Sequence, residues 1–241
     1  MISNISTFTW ITIAILSVII AIILKVLKTR SKKDTFLILG LADSGKTSLF
    51  IKLIDGKQVQ THTSMKENEG YINLEENGEP LTKVPIHFVD VPGHEKLRFK
   101  FSDFTPITRG IIFLVDSSTC VKNVRSIAEY LYDIFSNKDV IKNNIPALIA
   151  CNKSDMITAL PPERIQTMLE NEINQLRNTR TSALDHQDSS SGTDYVEFLG
   201  YENERFKFEH LENEIHFERC SVNKNEIMEI KSWVAEVYGG L

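Results

Sequence analysis

The 241 residues predict an α/β fold of about six mostly parallel strands flanked by helices, preceded by one N-terminal membrane-spanning helix. Three observations carry that expectation. Apolar runs of strand length alternate with longer amphipathic stretches, the pattern of a parallel sheet covered on both faces. A glycine-framed turn, "GLADSGKTSLF" from Gly40 to Phe50, follows the first such run and leads into a helix. Finally, Met1 to Leu24 carry no charged side chain.

The last of these comes first in the chain. "FTWITIAILSVIIAIILKVL", Phe8 to Leu27, is apolar over the ~20 residues a helix needs to cross a bilayer. A cleavable signal peptide is the competing reading. It calls for a basic start, a shorter apolar run and small residues at a cut site, whereas Ile, Leu and Val continue to Leu27. A buried core helix would carry a polar stripe. Lys25, near the end of the run, and Lys28, Arg30, Lys32 and Lys33 just after it are basic and no basic residue precedes it, so residues 1–7 are expected on the far side of the membrane. Residues 28–34 then read as a basic linker beside anionic headgroups, and residues 35–241 as one cytosolic domain. The sequon at Asn4 to Ser6 abuts the span and is taken as chance.

The formal net charge is −5, and without the basic linker the remainder is more acidic still. Such a domain is a poor candidate for direct nucleic-acid binding. Cys120, Cys151 and Cys220 form no close-spaced pairs, as expected of reduced thiols in the cytosol.

Strands are expected at Thr35 to Leu39, Tyr71 to Leu74, Ile86 to Val91, Ile111 to Val115, Ala147 to Cys151 and Ile215 to Cys220. Helices are expected at Lys46 to Ile54, Val121 to Ser136, Pro162 to Arg177 and Glu226 to Val237, with Pro162 suited to a first helical turn. "TSALDHQDSSSGTDYVE", Thr181 to Glu197, is polar and aperiodic and reads as a flexible insertion around 178–197, plausible also as a tolerated loop without function.

Gly40 to Thr47 match GxxxxGK[ST] between an apolar strand and a helix, the context that makes the pattern specific. Gly40 and Gly45 permit the tight turn. The backbone N–H groups of Asp43, Ser44, Gly45, Lys46 and Thr47 then form an anion nest at a helix N-terminus, with Ser48 as a further nucleotide contact. Lys46 is expected on the β and γ phosphates and the Thr47 hydroxyl on Mg²⁺. The plainer alternative is a glycine turn beside a surface lysine.

Such a loop touches only what ATP and GTP share, so the base must be read elsewhere. "LIACNKSD", Leu148 to Asp155, ends an apolar strand in NKxD. Asp155 can accept from guanine N1–H and N2–H₂ together, a charged bidentate pair that adenine cannot offer. Asn152 would support the loop or the base edge, and the Lys153 stem would cover the ring face. "IHFERCS" is a fainter element, ending at Ser221 and Val222, where a backbone N–H could meet guanine O6; a plain strand end explains it as well.

In "FVDVPGHEKLR", Phe88 to Arg98, Asp90 closes a strand and would hold Mg²⁺ through a water, while the Gly93 amide would sense the γ phosphate. "QTHTSM" offers Thr61 and Thr63 as Mg²⁺ ligands, or as ordinary loop threonines.

Together these elements resemble a Ras-like small GTPase, and DxxG at Asp90 to Gly93, so soon after the phosphate loop, looks most like the ADP-ribosylation-factor branch. The N-terminal anchor with "THTSM", "DVPGHEKLRF" and "ACNKSD" in order is similar to the signal recognition particle receptor β-subunit family, over almost the whole chain. The resemblance favours Thr63 as the switch ligand. It implies a GTP- and Mg²⁺-binding domain anchored in the endoplasmic reticulum membrane by one span, N-terminus lumenal. The implied partner is the receptor α subunit, bound when GTP is present for co-translational protein targeting, with the ribosome or translocon as a further contact.

Fast small GTPases carry a Gln after the DxxG glycine to orient the attacking water, and here that position is His94. A neutral imidazole offers one donor and one acceptor, so hydrolysis is expected to be slow, partner-dependent or pH-dependent; His94 could equally just pack against a partner. Arg98 and Arg109 are nearby cations with no assigned role. An active ADP-ribosylation-factor-like GTPase of vesicle traffic is the alternative function. Against it stand Ile2, where N-myristoylation requires glycine, and a span that cannot leave its membrane. An ATP-driven enzyme would leave Asp155 without a role.

Overall fold

The computed structural model describes residue 16 and residues 33–56, 61, 64–76, 78–185 and 199–239, without side chains for 76 and 181–185. The chain divides into two compact units, Met1–Lys33 and Asp34–Leu241. In the first, the helix expected over residues 8–27 lies outside the described residues apart from Leu16, which is helical. Among the described residues no helix is long and apolar enough to cross a membrane.

The second unit is built on one mixed sheet. Strands β1 (Thr35–Gly40), β2 (Asn68–Ile72), β5 (Ile86–Asp90), β6 (Thr108–Asp116), β7 (Ala147–Asn152) and β8 (Ile215–Arg219) lie in the order β2-β5-β1-β6-β7-β8. All neighbours are parallel except β2 and β5, which run antiparallel with Asn68 opposite Asp90 and Ile72 opposite Ile86. Between β2 and β5, strands β3 (Glu75–Glu76) and β4 (Glu79–Pro80) pair as a separate short ladder. The helices are α1 (Lys46–Asp55), α2 (Phe101–Phe104), α3 (Cys120–Phe135), α4 (Lys138–Lys142), α5 (Pro162–Asp185) and α6 (Met228–Gly239), with 3₁₀ turns at Glu95–Lys100, Thr105–Ile107 and Phe208–His210.

The sheet's central strands are buried on both faces, which is why they read as unbroken apolar runs. Side chains alternate between two cores. Leu37, Leu39, Ile111, Phe113 and Ile149 join Tyr130 and Ile134 of α3 and Ile165, Leu169 and Ile173 of α5. Phe36, Ile38, Ile112, Leu114 and Leu148 join Leu49 and Phe50 of α1 and Ile230 and Trp233 of α6. This sandwich fixes the carboxyl ends of β1, β6, β7 and β8 side by side, the edge where ligand loops sit in open α/β sheets.

Several boundaries differ from expectation. The second strand starts at Asn68 rather than Tyr71 and stops before Leu74, because it is an edge strand that pairs through polar residues; Leu74 is buried after the strand has ended. The last helix begins at Met228, since Ser221 and Glu226 first exchange two backbone hydrogen bonds across a tight turn. Helix α5 continues to Asp185, so the first residues of the expected insertion are helical; residues 186–198 lie outside the described residues. The α4 turn is capped by Asn137, whose Oδ1 accepts from the amides of Asp139 at 2.9 Å and Val140 at 3.3 Å.

Candidate functional site

The loop after β1 can exist only with its glycines in place. Gly40 has φ 138°, and a Cβ there would lie 2.3 Å from the Leu114 carbonyl oxygen. Gly45 has φ 97°, and a Cβ there would lie 2.4 Å from Asn152 Nδ2. Asp43 also adopts the left-handed region, at φ 61°. The loop so bent opens α1 at Lys46, a buried lysine whose Nζ donates to the Leu41 carbonyl at 2.7 Å. Burial pulls the Lys46 pKa down to about 8, against the opposing influence of Asp90 and Asp43.

A cleft of about 270 Å³ opens over this loop. Asp43, Gly45, Lys46, Thr47, Ser48, Gly93, Asn152, Lys153 and Val222 from the expected set all line it, together with Thr61 and Ser64. Gly40, Ser44, Asp90, His94, Asp155 and Ser221 are not among its lining residues, the Ser44 side chain being buried and its amide 3.4 Å from the Leu41 carbonyl. Thr63 lies outside the described residues.

At the α1 end of the cleft, oxygen ligands converge. Thr47 Oγ1 donates to Asp90 Oδ2 at 2.7 Å and lies 3.1 Å from Ser64 Oγ. Asn68 Nδ2 donates to the same Asp90 oxygen at 3.0 Å, as its place opposite Asp90 in the β2–β5 register allows. Asp90 Oδ1 is buried with no hydrogen-bond partner among the described residues. Burial raises the Asp90 pKa, while the bonds from Thr47 and Asn68 oppose the rise. A hydroxyl and a carboxylate, one oxygen of which is buried and unsatisfied, make a hard-donor set that suits Mg²⁺. Ser64 and Asn68 were not anticipated; only three-dimensional pairing brings Asn68 to Asp90 and Ser64 to Thr47.

At the opposite end, two loops are joined through one amide side chain. Asn152 Nδ2 donates to the Ser44 carbonyl at 2.8 Å, and its Oδ1 accepts from the Val222 amide at 3.1 Å. The Val222 amide, a candidate donor to a base oxygen, is therefore already engaged and would have to share its hydrogen. Asp155 Oδ1 accepts from Ser221 Oγ at 2.7 Å, and this bond holds the Asp155 carboxyl below the usual carboxylate range. Ser221 thus orients Asp155 rather than lining the cleft. Lys153, in the left-handed region at φ 61°, reaches Asp116 Oδ2 at 2.6 Å. Asp116 was missed, although an acidic residue closing an apolar strand is the same signal that marked Asp90.

Gly93 packs its Cα on the phosphate loop: a Cβ there would lie 2.6 Å from Ala42 N, Leu41 C and Lys46 Nζ. His94 is exposed and caps the turn at Glu95–Lys100, its Nδ1 accepting from the Lys96 amide at 3.3 Å. A ring that accepts at Nδ1 carries its neutral-form proton on Nε2, so the free nitrogen donates to water and does not accept from it. Arg98 donates to the Gly93 carbonyl at 3.4 Å and lies over the Tyr130 ring, 5.3 Å from its centroid. Arg109 is committed elsewhere, to the Val237 carbonyl at 2.8 Å.

With this geometry in hand, comparison with known proteins is informative. The sequence pattern of the family described as signal recognition particle receptor beta subunit matches residues 31–215. The human signal recognition particle receptor subunit beta is 35% identical over 236 residues, covering 93% of this chain and 84% of that protein. The structure of the mammalian SRP receptor superposes with a TM-score of 0.72 at 33% identity, over 84% of this chain and 99% of that one. The signal recognition particle receptor SRb–GTP/SRX complex from Chaetomium thermophilum shares the fold, with a TM-score of 0.66 at 23% identity over 84% of this chain and 99% of that one. Fold, cleft and sequence agree: the chain belongs to the signal recognition particle receptor β-subunit family.

Proposed function

We propose that this chain is the GTP-reading, membrane-anchored subunit of a signal recognition particle receptor, holding the α subunit at the endoplasmic reticulum membrane while GTP is bound. The observation that carries the nucleotide assignment is Asp155. Ser221 at 2.7 Å holds its carboxyl below the usual carboxylate range, on the loop that follows the cleft-lining Asn152 and Lys153. A fixed carboxylate there favours a base with two adjacent donors, and adenine would leave it unpaired at a cost of ~1–3 kcal/mol or more.

The chain's residues then divide the work. The phosphate loop presents N–H groups and the Lys46 ammonium to the phosphates. Thr47 and Asp90 would hold Mg²⁺, directly and through water, with the first-switch hydroxyl from Thr63 or its neighbours Thr61 and Ser64. Mg²⁺, when bound, supplies charge that neutralises the phosphate oxygens. Gly93, pressed on the loop, brings its peptide within reach of a terminal phosphate. Arg98 links that peptide to the turn at Glu95–Lys100, so a surface beside the cleft follows the nucleotide. The Chaetomium neighbour, solved as a GTP complex with SRX, supports a GTP-state partner. His94, exposed and capping the turn at Glu95–Lys100, stands where fast small GTPases carry a water-orienting Gln, which fits slow turnover and a signalling role.

The test is a change of base preference. Asp155→Asn is expected to weaken GTP binding and to gain xanthosine triphosphate binding, measured by equilibrium titration of the full-length protein in detergent. GTP binding unchanged by the substitution would refute the assignment.

A further inference from the structure

Asp116 belongs to none of the motifs that mark the cleft, yet it is tied to one of them. It closes β6 opposite Asn152 in the β6–β7 register, one residue before Lys153. Both of its oxygens are committed. Oδ1 accepts from the Ser118 amide at 2.9 Å and the Ser118 hydroxyl at 2.6 Å, which folds its own loop. Oδ2 accepts from Lys153 Nζ at 2.6 Å, an ion pair whose side chains are 13% and 30% exposed. Burial works against the charge on Asp116, but the bonds from Lys153 and Ser118 prevail and hold its pKa below the ordinary value, so its carboxylate is ionised at neutral pH.

A lysine stem is long and rotates freely, and its ammonium prefers water. Lys153 lines the cleft, and its tip is anchored on Asp116. Resting on the guanine-nucleotide reading above, we propose that Asp116 is a positioning residue for base recognition, holding the Lys153 stem in place as a preformed wall of the base subsite. Ordering that stem in advance removes a cost that binding would otherwise bear, so Asp116 lengthens the residence of any guanine nucleotide without touching it. The effect is shared by the di- and triphosphate because both carry the same base.

Asp116 also lines a cavity of about 20 Å³ behind the phosphate loop, with Ser44, Thr119 and Asn123. A substitution could therefore act through that loop instead, and the experiment must separate the routes. Asp116→Asn keeps an oxygen for Ser118 and replaces the one facing Lys153 with an amide that cannot accept. Dissociation of fluorescent GDP and GTP analogues would be timed for the full-length protein in detergent, as wild type, D116N, K153A and the double variant. D116N is expected to release both nucleotides about five- to tenfold faster, by the same factor, with no gain of xanthosine nucleotide binding. In the K153A background it should have no further effect. Unchanged release by D116N, or the same acceleration when Lys153 is absent, would overturn the proposal. If D116N does not fold, Lys153→Met, which keeps a stem and loses the charge, is expected to speed release, and unchanged release by it would be equally fatal. Wild-type protein that binds no guanine nucleotide would remove the function proposed above and this role with it, a result distinct from either.

Discussion

Gly93 is constrained by space rather than by backbone angle. Three atoms of the phosphate loop, Ala42 N, Leu41 C and Lys46 Nζ, would all lie 2.6 Å from a Cβ at this position. Two of the three are backbone, so the clash cannot be relieved by turning a side chain. Gly93→Ala is expected to cost ~1–3 kcal/mol of stability, the range for overpacking, and to abolish GTP-dependent capture of the α subunit by separating the two loops. Chemical denaturation reads the first effect and an affinity pull-down the second. At this scale the motifs themselves were legible, because GxxxxGK[ST], DxxG and NKxD fall at the ends of apolar strands. Their supports were not. Asn68 meets Asp90 only through antiparallel register, and the role of Ser221 as a brace for Asp155 depends on a 2.7 Å contact between loops 66 residues apart.

Helix α5 shows what an element contributes beyond its apolar stripe. Arg177, buried near its far end, donates from Nη1 to the Leu199 carbonyl at 3.2 Å and the Tyr201 carbonyl at 3.0 Å. It thereby pins the chain where it returns from the polar stretch after the helix. Arg177→Leu strands two carbonyls in the core and is expected to lower stability by ~2–4 kcal/mol, visible as a shifted urea midpoint. It should also open a protease site near Leu199. The central strands and the four longer helices were readable from periodicity, since burial on both faces leaves apolar runs with little ambiguity, whereas the short helices α2 and α4 were not. The bounds of the edge strand β2, the β3–β4 ladder and the short turns from Glu95 to Ile107 were not either, because their hydrogen bonds run through polar residues without a period. Helix α5 runs past its expected end because nothing between Arg177 and Asp185 breaks a helix, and a polar composition alone does not make a loop.

For the whole molecule, the proposed reading makes position and nucleotide state testable together. Protease added outside sealed microsomes is expected to remove the domain that follows Lys33, and protection would reverse the assigned orientation. A cytosolic α subunit should be retained by the chain loaded with a non-hydrolysable GTP analogue and released with GDP; equal retention would argue for a passive tether. One side chain makes the nucleotide state a joint property of the cleft. Asn152 donates to the phosphate loop through Ser44 and accepts from the base-side loop through Val222. Such a bridge works as a coincidence detector. On the proposed reading, a ligand that seats its phosphates but displaces the base-side loop would disturb the same amide that steadies the phosphate loop.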